Sequence, residues 1–273
     1  MPTKLGQNFL INEDIAKRII ESANIKGDNV LEIGPGEGVL TSLLSQKARR
    51  VLAIEIDKKL IAEFSSRSHL ELARGETSIK IIEGDILKIN LPELLEGNNF
   101  KNYKVVANLP YYITSKIIRL LLETKYPPTE MILMVQKEVG ERICAPSGKE
   151  SILSISVKFY AEPEILFSVP RENFDPEPEV DSTVIRIKRK EKIPDVDTKH
   201  FFSLVKAGFS SRRKMLVNNL STGFNLPKAA VSEILKKVGI EPTQRAQELE
   251  VEDWVNLNEN LKKQEIEVLK GLR

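Results

Sequence analysis

Cysteine occurs only once in the chain, as Cys144, which excludes an internal disulfide framework and any zinc site built on clustered cysteines. Histidine is nearly as scarce. His69 and His200 stand far apart and neither has a metal-ligating neighbour at helical spacing, so no metal ion is expected. Long apolar runs are missing as well, and nothing approaches the ~20 residues of a membrane-spanning helix. The opening residues Met1-Pro2-Thr3-Lys4-Leu5-Gly6 lack the apolar core of a signal peptide, so the expected location is cytoplasmic, away from any membrane. No internal repeat and no low-complexity tail is visible.

What is present reads as an ordinary soluble chain. Its 273 residues, 41% hydrophobic and 29% charged, leave room for one large domain and a smaller one. The net charge of +2 hides an uneven distribution. Residues 1–179 carry 23 Lys and Arg against 26 Asp and Glu, whereas residues 186–245 carry 14 against 5. Such a basic stretch is compatible with a solvated face and equally with a surface for a polyanion, since Lys and Arg that neutralise phosphates supply most non-specific nucleic-acid affinity.

Five short apolar runs read as buried strands: Val30 to Ile33, Val51 to Ile54, Ile79 to Ile82, Val105 to Ala107 and Met131 to Val135. Helical patterns fall between them, including Thr41 to Ser45 and Ser115 to Leu122. This alternation predicts an α/β fold with a parallel sheet covered on both faces. Ile155 to Tyr160 and Thr183 to Ile187 read as two further strands closing the sheet as a hairpin. Beyond a linker at Arg189-Lys190-Glu191-Lys192-Ile193-Pro194 the pattern is helical, at Phe201 to Phe209, Lys228 to Val238 and Val251 to Asn260. The expected domains are therefore 1–188, an α/β sheet, and 189–273, smaller and all-helical.

The first strand runs into Gly34-Pro35-Gly36-Glu37-Gly38, and a helix follows. Glycines let a ligand approach the backbone closely, and a helix N-terminus offers free N–H groups. Glu55 lies 21 residues after Gly34, at the end of the second strand, where a carboxylate can accept two hydrogen bonds from ribose hydroxyls. Alone, the loop is equally a tight turn beside a surface acid. Strand before, helix after and acid at this distance favour a nucleoside. The glycines fall as G-x-G-x-G, with Val39 where a dinucleotide fingerprint has its third glycine, and Pro35 and Glu37 suit a pyrophosphate poorly. S-adenosylmethionine has no phosphate, and Asp85, after the third strand, can accept from its adenine amino group.

The fourth strand ends at Asn108-Leu109-Pro110-Tyr111. There an amide that donates and accepts, a rigid proline and an aromatic face suit a flat, amine-bearing ring. With the glycine loop upstream, this points to methylation of a nucleobase amino group.

These segments together resemble the ribosomal RNA adenine dimethylases over almost the whole chain. The likeness runs from Gly6-Gln7-Asn8-Phe9-Leu10 through Leu31 to Gly38, Glu55-Ile56-Asp57, Gly84-Asp85 and Asn108 to Ile113. It continues through Met134 to Val139 and Phe174-Asp175-Pro176-Glu177-Pro178 to Ser211-Arg212-Arg213-Lys214-Met215-Leu216, Asn218-Asn219-Leu220 and Arg245-Ala246. It implies a Rossmann-like S-adenosylmethionine-dependent methyltransferase sheet. Asn8 and Leu10 would close over the methionine end of the cofactor. Gly34 would meet it by its backbone, Glu55 would hold the ribose, Asp85 the adenine, and Asn108 would sit between donor and acceptor.

Adenine N6 is a poor nucleophile because its lone pair is delocalised. Asn108 and the carbonyl of Leu109 can accept its two N–H bonds and favour a pyramidal nitrogen, so the rate comes mainly from alignment. Pro110 holds the loop, and Tyr111 and Phe174 would stack on the target ring, which must leave its own stack. Core packing is the other role open to both aromatics. Arg212, Arg213 and Lys214 would contact RNA phosphates. The implied substrate is two adjacent adenosines of small-subunit ribosomal RNA in an immature subunit, with the protein acting as a monomer. Large-subunit resistance methylation, a non-catalytic assembly or transcription factor, and a dehydrogenase are the competing readings. The basic helical C-terminal segment, the intact site residues and the glycine spacing respectively disfavour them. Two positions depart from the family: Lys149-Glu150-Ser151-Ile152 lacks a Tyr-Gly pair, and Glu179 stands where lysine is usual.

Overall fold

The computed structural model describes residues 8–63 and 78–271, with side chains through Lys262. His69 and the Gly6-Gln7 pair lie outside the described residues. The chain divides into two compact units, 1–141 with 161–189, and 142–160 with 190–273.

In the first unit every apolar run of the parallel sheet is a strand. After a two-residue strand β1 (Phe9–Leu10) come β2 (Asn29–Ile33), β3 (Arg50–Glu55), β4 (Ser78–Glu83), β5 (Lys104–Asn108) and β6 (Glu130–Gln136). Then come β7 (Ala161–Val169), β8 (Phe174–Asp175) and β9 (Ser182–Arg189). The seven-stranded sheet has the order β4-β3-β2-β5-β6-β9-β7, and β1 pairs with β8 in a separate ribbon. Strands β2 to β6 run parallel, and β9 is antiparallel to both β6 and β7. Val30, Leu31, Val51, Leu52, Val105 and Val106 are all but inaccessible, as expected for central strands covered on both faces. Strand order reverses between β2 and β5, and in such sheets ligands bind beyond the carboxyl ends of the strands at that point.

The expected strand over Ile155 to Tyr160 is instead helical, within Ile152–Tyr160. Its β-branched residues at alternate positions, Ile155 and Val157, gave it a strand-like period. Ser151 overrides that preference. Its Oγ accepts from Ser154 N at 3.1 Å while Ser154 Oγ accepts from Ser151 N at 2.7 Å, a reciprocal cap that starts the helix. The hairpin partner of β9 is the next segment, β7, whose two glutamates and Pro163 disguise it. Proline is tolerated there because β7 is the sheet edge.

The second unit is helical, with Ile152–Tyr160, Thr198–Gly208, Leu216–Phe224, Lys228–Lys237 and Val251–Gly271 around a core of Phe159, Phe201, Leu220 and Trp254. The helix Leu216–Phe224 has no counterpart among the sequence expectations because Asn218, Asn219, Ser221, Thr222 and Gly223 form helices poorly. Burial of Leu216, Val217 and Leu220 sustains it. Gly223 also lets it approach the helix Thr198–Gly208, since a Cβ there would stand 2.7 Å from Ala207 Cβ. The helical unit takes in 142–160 as well as 190–273, and Ile155 and Phe159 belong to its core.

Candidate active site

Four strand ends converge on the site. Strand β2 delivers Gly34, β3 ends at Glu55, β4 leads into Gly84-Asp85, and β5 ends at Asn108. Two cavities meet here, sharing Gly34 and Pro110. One is lined by Asn8, Leu10, Glu32, Gly36, Asn108 and Tyr111. The other is lined by Glu55, Ile56, Asp85, Ile86, Tyr112 and Ile113.

The glycine loop adopts backbone conformations that favour glycine, with φ of 68° at Gly34, 57° at Gly36 and 88° at Gly38. Its amides are already engaged. Gly34 N donates to Ile54 O at 2.9 Å, Gly38 N to Pro35 O at 2.9 Å, and Gly36 N to Glu55 Oε2 at 3.2 Å. None of these three is left for a pyrophosphate, which is the physical reason the loop suits a ligand without one. A Cβ on Gly36 would stand 3.1 Å from the Phe9 ring, so this position also admits the segment that covers it.

Glu55 is buried, 3% exposed, and held rigidly. Its Oε1 accepts from Ile56 N at 2.8 Å and Asp57 N at 2.9 Å, beside the Gly36 bond on Oε2. Three of about four acceptor positions of a carboxylate are thereby used. One remains for a ligand hydroxyl, not the two expected from sequence. Asp85 is half-buried; its Oδ1 accepts from Leu87 N at 3.0 Å and Lys88 Nζ lies 3.6 Å from Oδ2.

Glu32 is the residue that sequence reasoning missed. It is 1% exposed, lines the first cavity, and accepts from Thr41 Oγ1 at 2.7 Å. A charged residue inside the apolar run Val30-Leu31-Glu32-Ile33 was the available signal, because burying a lone carboxylate costs too much without a purpose. Desolvation, opposed by the Thr41 bond and reinforced by the nearby Glu55 carboxylate, pushes its pKa up to about 8. Because the folded value lies above the ordinary one, the stability it permits is complete in acid and is lost as pH rises from about 4.5 towards 8. Glu32→Gln keeps an acceptor for Thr41. Unfolding in urea at pH 5, 6.5 and 8 should show wild-type stability falling relative to this variant by up to about 1.4 kcal/mol per pH unit. Parallel pH profiles would mean that Glu32 titrates normally.

Asn108 donates through Nδ2 to Asn8 O at 3.2 Å, so its donor end is engaged and its acceptor end is the one available to a ligand. Leu109 is buried and its N–H donates to Met134 O at 3.1 Å, pinning the turn to β6. Tyr111 is half-buried with its hydroxyl 2.8 Å from Ser182 Oγ, and burial raises its pKa against the opposing effect of that bond. Tyr112, not singled out from sequence, is 63% exposed and lines the second cavity. Phe174 is 3% exposed inside the core with Leu10, Met134 and Val184, and lines neither cavity. In this conformation it packs; stacking on a target ring would require it to leave that core. Glu179 is exposed. Among the described residues, no group of three or more His, Cys, Asp or Glu is placed to hold a metal ion, and no helix is long and apolar enough to cross a membrane.

In the helical unit, Arg212, Arg213 and Lys214 are exposed on the turn before Leu216–Phe224. That turn is fixed from inside. Buried Asn219 donates through Nδ2 to Gly208 O at 2.6 Å and Ser211 O at 3.0 Å, and Leu216 N donates to Gln244 O at 2.8 Å.

A mixed seven-stranded sheet of this order, with cavities at the carboxyl ends of β2 to β5, has the Rossmann-like methyltransferase fold. The model of the ribosomal RNA adenine dimethylase family matches residues 1–263, and the chain belongs to that family. A protein of Fusobacterium nucleatum named ribosomal RNA small subunit methyltransferase A is 43% identical over 267 residues, 93% of this chain and 95% of its own length. One of the same name from Dehalococcoides mccartyi is 42% identical over 259 residues, 93% of this chain and 86% of its own length. Among solved structures, a dimethyladenosine transferase from Plasmodium falciparum superposes with a TM-score of 0.80 at 28% identity, covering 93% of this chain and 98% of that one. The 23S rRNA methyltransferase ErmE superposes with a TM-score of 0.73 at 27% identity, covering 93% and 100%.

Proposed function

We propose that this protein dimethylates N6 of two adjacent adenosines in the loop of the 3′-terminal helix of small-subunit (16S) ribosomal RNA, within an immature subunit, acting as a cytoplasmic monomer. The observation that carries this reading is Asn108. It ends β5 on the wall of the first cavity, and its Nδ2 donates to Asn8 O, which leaves Oδ1 as the acceptor for a substrate amine. The names and coverage of the curated relatives support the small-subunit substrate over a large-subunit one.

S-adenosylmethionine, when bound, supplies a methyl group on a sulfonium centre. The residues fit such a ligand, because the buried carboxylate of Glu55 and the buried carboxyl of Glu32 line the adjoining cavities and the three glycine-loop amides are already engaged within the protein. Asn8 and Leu10 would cover its methionine end, Gly34 would contact it by backbone, Glu55 would hold a ribose hydroxyl, and Asp85 the adenine amino group. Asn108 Oδ1 and the Leu109 carbonyl would accept the two N6 hydrogens of the target. They would hold that nitrogen pyramidal, with Pro110 fixing the turn and Tyr111 offering its face. The proton released on methylation goes to solvent, so these residues need include no dedicated base. Incubating the protein with undermethylated small subunits and with large-subunit RNA, then mapping methyl groups by mass spectrometry, tests the reading. Dimethyladenosine confined to large-subunit RNA would overturn it.

Residues 1–188 are assigned the chemistry and 189–273 RNA contact. If Arg212, Arg213 and Lys214 each touch a phosphate, each contributes about 0.7–0.9 to the slope of log affinity against log salt. Replacing all three with alanine should lower that slope by roughly 2 and leave S-adenosylmethionine affinity unchanged. A variant that loses thermal stability while retaining the wild-type slope would instead give these side chains a bracing role.

A further inference from the structure

The segment lining the first cavity is tied to the loop that carries Phe174. Phe9 pairs with Asp175 and Leu10 with Phe174, and Ile11 N donates to Asn173 O at 2.9 Å. One residue further, Asn12 Nδ2 donates to Asn173 Oδ1 at 2.7 Å. The surrounding bonds fix the orientation of both amides. Asn12 Oδ1 accepts from Asp14 N at 2.9 Å and Ile15 N at 3.3 Å, capping the helix Glu13–Ala23, so its NH2 group must face Asn173. Asn173 Nδ2 donates to Pro170 O at 2.8 Å, so its oxygen must face Asn12. Flipping either amide would break a bond and set like groups against each other.

At the cavity end the same segment accepts from Asn108 through Asn8 O and lays the Phe9 ring over Gly36. We propose that the Asn12–Asn173 pair is a latch that keeps residues 8–10 closed over the donor cavity, which makes Asn12 and Asn173 positioning residues for methyl transfer. The inference rests on the reading that this cavity receives the methionine end of S-adenosylmethionine. A two-residue ribbon is marginal by itself, so one side-chain bond is a large share of what holds it. When the competent conformer is only partly populated, apparent affinity falls by that fraction.

Serine is a good helix cap, so Asn12→Ser keeps an acceptor for Asp14 and Ile15 while removing the donor to Asn173. Asn173→Ala removes the other half of the pair, so the two substitutions together measure their coupling. In Asn12→Ser, S-adenosylmethionine measured by calorimetry should bind about three- to tenfold more weakly. Its KM should rise with kcat at saturation nearly unchanged, and the Ile11 amide should exchange faster in the free protein. In an Asn173→Ala background, Asn12→Ser should cause little further loss in binding or exchange, a coupling that a general packing defect would not give. Wild-type affinity and wild-type Ile11 exchange in Asn12→Ser overturn the latch. If the wild type itself fails to bind S-adenosylmethionine, the donor-site reading falls. Ile11 exchange then still separates a latched segment from an unlatched one.

Discussion

Replacing Asn108 with alanine is expected to lower turnover by about 10²-fold or more while RNA affinity changes little. The argument is geometric. Asn108 sits at the end of a rigid strand whose neighbours Val106 and Ala107 are buried, and its Nδ2 is committed to Asn8 O. What the side chain offers a substrate is one acceptor in a fixed place. An adenine nitrogen whose hydrogens are not held there stays planar and misaligned. Misplacement by about 1 Å is enough for a loss of this size. Single-turnover methylation of small subunits, with binding measured on the same preparation, separates the two quantities. Near-normal turnover would mean that the Leu109 carbonyl alone positions the nitrogen.

The second large effect is expected at Glu55. Its carboxylate has one acceptor position left, and a charge-assisted bond from a ribose hydroxyl there would contribute about 1.5–3 kcal/mol to S-adenosylmethionine affinity, roughly ten- to 150-fold. Glu55→Ala also orphans the N–H groups of Gly36, Ile56 and Asp57, so the glycine loop loses its tie to β3. Calorimetry on the alanine and glutamine variants tests this. Glutamine retains one oxygen and should fall between alanine and wild type. Unchanged affinity in Glu55→Ala would remove the residue from the site. NAD should not compete for the same site, because the three glycine-loop amides are already engaged within the protein.

Much of the sheet was legible because its central strands are buried on both faces and therefore read as continuous apolar runs. The reading failed where local preference and tertiary context disagree. Ile152–Tyr160 carries strand-like residues but starts from a serine cap and buries Ile155 and Phe159 among helices. Leu216–Phe224 carries poor helix formers held by burial of three apolar side chains. The structure places Gly34, Glu55, Asp85 and Asn108 on the walls of the two cavities, and that placement was legible because each ends or follows a strand. Glu32 was overlooked because it sits within one. Phe174 stood out as an aromatic in a proline-rich loop, yet it pairs through β8 with β1 and so lies under a strand invisible at two residues long. No periodicity argument finds a strand of that length.

The helical unit is built from two separate stretches of chain, 142–160 and 190–273. It is therefore not a detachable tail. A truncation at residue 189 would strip the partners from Ile155 and Phe159 and leave two large apolar side chains facing water, an invitation to aggregate. Grafting RNA-contact specificity from one family member to another would likewise require exchanging both stretches together. An apparently simple C-terminal chimera would carry a mismatched half of a core, and its inactivity would say nothing about RNA.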